Sequence, residues 1–205
     1  MNIKGLTLGR MGTNGYVVYK NGKGLMIDPG GDVEIIVHWL EKNQVALLAI
    51  LLTHAHFDHI GAVDVLRDKY NIPVYVHEQE KNWLGSPEWN GSGLFPVDNI
   101  SCRPADHFIS EGTMEIGEFS FDVLHTPGHS PGGVSFIFNN EKYVISGDCL
   151  FQNGIGRTDL PGGDHATLID SIREKLFTLA GDFTIFPGHG PTTTIEQEKK
   201  SNPFL

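Results

Sequence analysis

Cysteine is almost missing from this chain. Only Cys102 and Cys149 occur in 205 residues, too few for the disulfide framework that holds small secreted domains together. Both are read as small buried hydrophobes. Positive charge is scarce as well: 15 Lys and Arg stand against 25 Asp and Glu, a net charge of −10. Nucleic-acid binding needs a basic face to neutralise phosphates, so no nucleic-acid partner is expected, and no anionic membrane surface either. No apolar run approaches the roughly 20 residues that span a bilayer, and no charged-then-apolar leader opens the chain. A cytoplasmic, soluble protein is expected. Internal repeats and Pro- or Ser-rich linkers are also lacking, which predicts one domain over residues 1–205.

Glycine, by contrast, is abundant at 25 residues, which implies many tight turns and close backbone approaches. Apolar residues make up 40% of the chain, enough for a full core. Short strands are predicted at 6–8, 16–19 and 25–27, the last ending in Asp28-Pro29-Gly30. Asp32 is expected to N-cap a helix through Trp39, Leu40 and Lys42. The apolar run 47–52 reads as a buried strand, and the spacing of Ile60, Val63, Leu66 and Arg67 predicts a helix from His59 through Tyr70. A strand at 74–76, a short helix at 78–84 and a loop at 85–95 follow.

From Ser101 onward the pattern is one of antiparallel strands, including 119–124, 134–138 and 143–145. A helix is predicted over 165–179 with Leu168, Ile169, Ile172 and Leu176 on one face. A strand at 183–186 and a helical turn or two at 195–200 close the chain. Strands and helices therefore occur in two successive sets, which implies an α/β chain of two βα-type halves packed sheet on sheet with helices outside.

The chemistry is concentrated in Thr53-His54-Ala55-His56-Phe57-Asp58-His59. Three imidazoles and a carboxylate fall on the turn between a strand's C-terminal end and a helix N-terminus, where open α/β folds place their sites. Without a cation these side chains would repel or be desolvated at a cost. Neutral imidazole and carboxylate are good ligands for zinc and similar metals. Three later clusters share the same context, a strand end, then Gly or Pro, then a ligand-type side chain. They are His125-Thr126-Pro127-Gly128-His129, Gly147-Asp148 and Pro187-Gly188-His189-Gly190. Side-by-side strands would bring these ligands together.

These four motifs, in this order, resemble those of the metallo-β-lactamase superfamily, and Ile27-Asp28-Pro29-Gly30 fits the same pattern. The resemblance implies an αββα four-layer sandwich with a dinuclear metal site along one edge. It implies that His54, His56 and His129 hold one metal, that Asp58, His59 and His189 hold the other, and that Asp148 bridges them. Asp28 would orient a ligand imidazole. The metals would be two divalent ions, zinc first, with iron or manganese as alternatives. Of the remaining histidines, His38, His77 and His107 are read as ordinary surface or packing residues, and His125 and His165 as candidates for orienting a ligand.

Within the superfamily, His56 differs from the glutamate of flavodiiron oxygen reductases. Asp148 differs from the cysteine of zinc β-lactamases, which argues against that activity. The chain is too short for the RNA-processing branch. Residues 147–165 and the ending from Gly188 through Pro203 look like the small glyoxalase II-like proteins that lack the C-terminal helical domain of the larger enzymes.

That resemblance implies hydrolysis of a small thioester of a hydroxy acid, such as S-lactoylglutathione, by a metal-bound bridging hydroxide oriented by Asp58. The larger enzymes place Lys and Tyr where this chain has Arg157 and Asp159. Arg157 is a candidate substrate contact, and an Arg157–Asp159 pair buried for architecture is the alternative. Cys149 is read as packing. Rival readings are a mononuclear-iron persulfide dioxygenase holding its iron through residues matching His54, His129 and Asp148, a lactonase on the same site, and a metal-binding module without catalysis.

Overall fold

In the computed structural model, which describes residues 1–205, the chain divides into two compact units, Met1–Ile109 and Ser110–Leu205. The first unit contains β1 (Asn2–Leu8), β2 (Thr13–Lys20), β3 (Lys23–Ile27), α1 (Val33–Lys42), β4 (Ala46–Leu51), α2 (Phe57–Ile60), α3 (Val63–Tyr70), β5 (Val74–His77) and β6 (His107–Ile109). Its sheet runs in the order β1-β2-β3-β4-β5-β6. The first three strands form antiparallel hairpins and the last four pair in parallel. Parallel neighbours need crossovers of a dozen or so residues; α1 and then α2 with α3 supply the first two, and residues 78–106, with only short 3₁₀ turns, supply the third. Ile50, Leu51 and Leu52 are fully buried, as an interior parallel strand covered on both faces requires.

Three local expectations are corrected here. Residues 107–109 add to β5 as a parallel edge strand, with Tyr75 opposite His107, and do not open the antiparallel set. Three residues carry too little alternation to fix direction; Asp106 does so, its amide and carboxylate bonding the Val74 carbonyl and amide at 2.9 and 2.8 Å while Arg67 grips the carboxylate at 2.6 Å.

The helix expected from His59 to Tyr70 is two helices. The Ala62 N–H donates to the Pro29 carbonyl at 2.8 Å instead of to its own helix, so the chain breaks at Gly61. Asp32 does precede α1, but its carboxylate accepts the Gly9 N–H at 2.8 Å and caps nothing.

The second unit contains β7 (Gly112–Ile116), β8 (Phe119–His125), β9 (Val134–Phe138), β10 (Tyr143–Gly147), the small pair β11 (Leu150–Phe151) and β12 (Gly154–Ile155), α4 (His165–Asp170), β13 (Thr184–Pro187), β14 (Thr193–Thr194) and α5 (Ile195–Ser201). Its six-stranded sheet runs β14-β13-β10-β9-β8-β7. All neighbours are antiparallel except β10 and β13. The helix predicted over 165–179 is α4 continued by a π-helical turn, Ser171–Lys175, and a 3₁₀ turn, Leu176–Thr178. The buried residues Leu168, Ile172 and Leu176 recur every fourth residue. That spacing drifts around a 3.6-residue α-helix, and the wider π turn keeps all three on the core side. The two-residue strands β11, β12 and β14 are too short to leave a periodic signal.

Each unit has its own hydrophobic core. The first gathers Ile50, Leu52, Val63, Leu66 and Cys102; the second gathers Val144, Cys149, Leu168, Ile172 and Ile185. No helix is long and apolar enough to cross a membrane. Burial pushes the thiol of Cys102 up to about 11 and that of Cys149 up to about 12. A pKa above the working pH keeps the thiol protonated, so neither group supplies thiolate near pH 8. Native protein should therefore not react with Ellman's reagent at pH 8, whereas guanidinium should release two thiols per chain; rapid reaction of the native protein would contradict the burial.

Candidate metal centre

In the first unit the chain leaves β4 after Leu51, bends at Thr53 and passes through His54, Ala55 and His56, the last with extended backbone, before α2 begins at Phe57. His54 and His56 emerge together, and the first turn of α2 then swings Asp58 and His59 round beside them. The imidazoles of His54, His56 and His59 are buried. His54 lies with its ring centroid 4.8 Å from that of His56 and 4.1 Å from that of His59.

Asp28, just past β3, has a left-handed backbone with φ 50°. Its buried carboxylate accepts the Thr53 N–H at 2.8 Å, the Thr53 hydroxyl at 2.5 Å and His59 Nδ1 at 2.9 Å. A hydroxyl has one proton to give. With that proton on Asp28, the contact at 3.1 Å between Thr53 Oγ1 and His54 Nδ1 has the imidazole N–H as donor. His54 and His59 are thus both fixed with the proton on Nδ1 and the lone pair on Nε2. One donor atom from each of Asp28, His54 and His59 lies within 4.8 Å of the others.

Further residues hold the turn. Glu80 is fully buried and accepts the Ala55 N–H at 2.6 Å. The Asn90 carbonyl accepts the Phe57 N–H at 2.9 Å, and the Thr13 hydroxyl donates to Asp58 Oδ2 at 2.8 Å. Gly30 is needed because a Cβ there would overlap the Asp58 carbonyl. Sequence reasoning missed Thr13, Thr53, Glu80 and Asn90. Thr53 stands inside the motif but bears no ligand-type side chain; Thr13, Glu80 and Asn90 are distant in sequence, and only the fold brings them to the turn.

The second unit presents His129, Asp148 and His189, each just past a strand. Gly128, with φ 125°, lets the chain pass against α4, where a Cβ would overlap the Leu168 backbone. His129 is buried, and its Nδ1–H donates to the Arg157 carbonyl at 2.7 Å. Asp148 Oδ2 lies 3.6 Å from Nε2 of both His129 and His189. Gly156 has no room for a Cβ beside the Asp148 carbonyl. The segment before it is tied down from α5: the fully buried Glu198 accepts the Asn153 N–H at 2.9 Å, and Asn202 donates to the Gly154 carbonyl at 3.0 Å.

Arg157 and Asp159 do pair, through two bonds of 2.7 Å each. The pair is exposed, with half of the Arg157 side chain in solvent, so the expectation of a buried architectural pair is corrected. The Arg157 guanidinium holds the Asp159 carboxyl down at about 2. His125 bonds the Pro131 carbonyl at 2.9 Å and so braces the loop carrying His129. His38, His107 and His165 are exposed, and His77 stands at the start of a 3₁₀ turn.

This donor set fits a metal. With ligand bonds of about 2.0–2.1 Å, two donors on one tetrahedral ion stand about 3.3 Å apart. His59 Nε2 lies 3.7 Å from Asp58 Oδ2, and the two Asp148 separations are 3.6 Å. These are too long for hydrogen bonds and close to the span of a shared ion.

The comparisons agree. A family model for the metallo-beta-lactamase superfamily matches residues 8–189. The chain is 47% identical over its full length to a probable metallo-hydrolase, YqgX, of Bacillus subtilis, of which it covers 98%. It is 42% identical to the hydroxyacylglutathione hydrolase GloC of Haemophilus influenzae, across 88% of this chain and 86% of that one. Among solved structures, it matches BLEG-1, named a B3 metallo-beta-lactamase, with a TM-score of 0.97 and 50% identity over 100% and 99% of the two chains. It matches TTHA1623, solved in a di-iron-bound form, with a TM-score of 0.89 and 38% identity over 98% and 100%.

The fold expectation is borne out: two mixed sheets with their helices, consistent with an αββα sandwich. So is a dinuclear metal-binding site of His and Asp residues. The argument against β-lactamase activity from Asp148 gains no support, because a chain half identical to this one bears that name.

Exchange of Asp28 for Asn would place an amide where a carboxylate now accepts His59 Nδ1–H. Loss of such a supporting carboxylate costs about 10–100-fold in metal affinity. Chelator competition should show that loss in folded Asp28→Asn protein; unchanged affinity would remove Asp28 from the centre.

Proposed function

Because this chain belongs to the metallo-β-lactamase superfamily, and its relatives bear the names of metal-dependent hydrolases, we propose that it hydrolyses a hydroxyacyl thioester of the S-lactoylglutathione type. The observation that carries this is the 42% identity to a hydroxyacylglutathione hydrolase across 88% of the chain. In this reading His54, His56 and His129 would hold one metal ion, Asp58, His59 and His189 would hold a second, and Asp148 would serve both. Zinc suits the ligand set, as do iron and manganese.

Ions held by these residues would supply a hydroxide nucleophile at neutral pH and an electrophile for the thioester carbonyl. The residues of the chain set the geometry of that chemistry. Thr13 pins Asp58 Oδ2 and so fixes where Oδ1 points, ready to accept a hydrogen bond from the attacking oxygen. Asp28 and the Arg157 carbonyl hold the Nδ1 protons of His59 and His129 and keep both Nε2 lone pairs towards their ligand positions. The leaving thiolate is stable at neutral pH, so no strong general acid is required. Cys149 is buried, and burial pushes its thiol pKa up, as suits a packing residue. Arg157 stands exposed beside His129 with its guanidinium turned to Asp159, where a substrate carboxylate could displace that partner.

A second reading is favoured by one observation, the 50% identity to a protein named a B3 metallo-beta-lactamase. The same hydroxide would then open a β-lactam amide, and a chromogenic cephalosporin tested beside the thioester separates the two.

Replacement of His54 or Asp148 by Ala should abolish thiol release from S-lactoylglutathione while circular dichroism stays that of the parent protein. Full turnover in metal-analysed Asp148→Ala would refute the bridging role. Arg157→Ala should raise KM with a modest change in kcat and leave the melting temperature nearly unchanged, because an exposed pair adds little stability; a marked drop in melting temperature would return Arg157 to an architectural role.

A further inference from the structure

A cavity of about 300 Å³ opens in the first unit beside the candidate metal ligand Asp58. That volume lies at the small end of ligand pockets. Met11, Phe57 and Ile100 give it apolar walls, and besides Asp58, which the candidate metal site engages, two charged side chains line it, Arg10 from the β1–β2 turn and Asp98 from the loop before Ile100. The other arginines of this unit, Arg67 and Arg103, are tied to carboxylates at 2.6 and 2.5 Å. Arg10 and Asp98 make no salt bridge or side-chain hydrogen bond, with each other or with any other group. Opposite charges that share one small cavity without pairing are placed to grip a ligand carrying both signs.

We propose that this cavity binds a zwitterionic amino-acid head group, its carboxylate on the Arg10 guanidinium and its ammonium on Asp98, with the adjoining aliphatic chain against Met11, Phe57 and Ile100. A guanidinium fork matches a carboxylate bidentately, and a carboxylate beside it accepts an ammonium. A carboxylate alone would meet repulsion from Asp98, and an ammonium alone would meet it from Arg10. As a statement about substrate it rests on the thioester reading: the favoured substrate is a thioester whose thiol arm ends in an α-amino acid group, with Arg10 and Asp98 setting specificity.

The test is calorimetry on the metal-loaded protein with norleucine, N-acetylnorleucine and norleucine amide, in wild type, Arg10→Gln and Asp98→Asn. Both positions are exposed, so the variants should fold. Norleucine should bind wild type about tenfold or more tightly than either blocked probe, and each substitution should erase that margin. No margin, a margin that survives both substitutions as simple chelation of the metals would, or a loss in only one variant would overturn the proposal.

Hydrolysis of S-lactoylglutathione and its N-acetyl derivative is measured on the same preparations. The blocked substrate should show a KM about tenfold higher, a difference that disappears in Asp98→Asn. Selective norleucine binding without any thioester turnover would sink the thioester reading and leave the pocket standing. Turnover indifferent to N-acetylation and to both substitutions would do the reverse.

Discussion

A carboxylate buried away from water must find donors for its oxygens within the protein, and Asp28 does so by accepting an amide, a hydroxyl and an imidazole N–H. The geometry of the first unit's site follows from that one group. It holds the end of β4 through Thr53, sets the tautomer of His59 directly and that of His54 through the Thr53 hydroxyl. Its backbone is left-handed, and just beyond it the Pro29 carbonyl takes the Ala62 amide and ends α2. The helix break and the ligand turn are two results of the same local constraint.

The second unit reaches a similar end with different chemistry. No buried carboxylate orients His129; a backbone carbonyl does, and its position depends on the close passage of Gly156 beside Asp148. That passage is braced from α5 through Glu198 and Asn202. Polar residues near the end of the chain thus bear on a ligand about seventy positions earlier. They act by fixing main chain and touch no ligand themselves.

How much of this was legible in the sequence depended on the range of the interactions. The ligand turns were readable because each sits on a strand end with a short, dense set of donors, and the αββα fold followed from the motifs that carry the family resemblance. The apolar run before His54 was readable because a strand buried on both faces needs no alternation. What escaped was set at long range. Residues 107–109 took their direction from Asp106 and Arg67, and the helix at 59–70 was cut by a carbonyl thirty-odd residues earlier. Thr13, Glu80 and Asn90 carry no local sign of the turn they support. Arg157 and Asp159 were recognisable as a pair, but two residues in sequence say nothing about solvent, and the pair proved exposed.

Residue 157 serves the site in two separable ways. Its carbonyl holds His129, and every amino acid has a carbonyl; its side chain lies outside, clasped to Asp159. Substitution at this position can therefore retune what the loop greets in solvent without disturbing the imidazole behind it. An evolving lineage could exchange a guanidinium for an ammonium or a neutral group here in a single step, trying new substrates while the metal-holding frame is inherited unaltered.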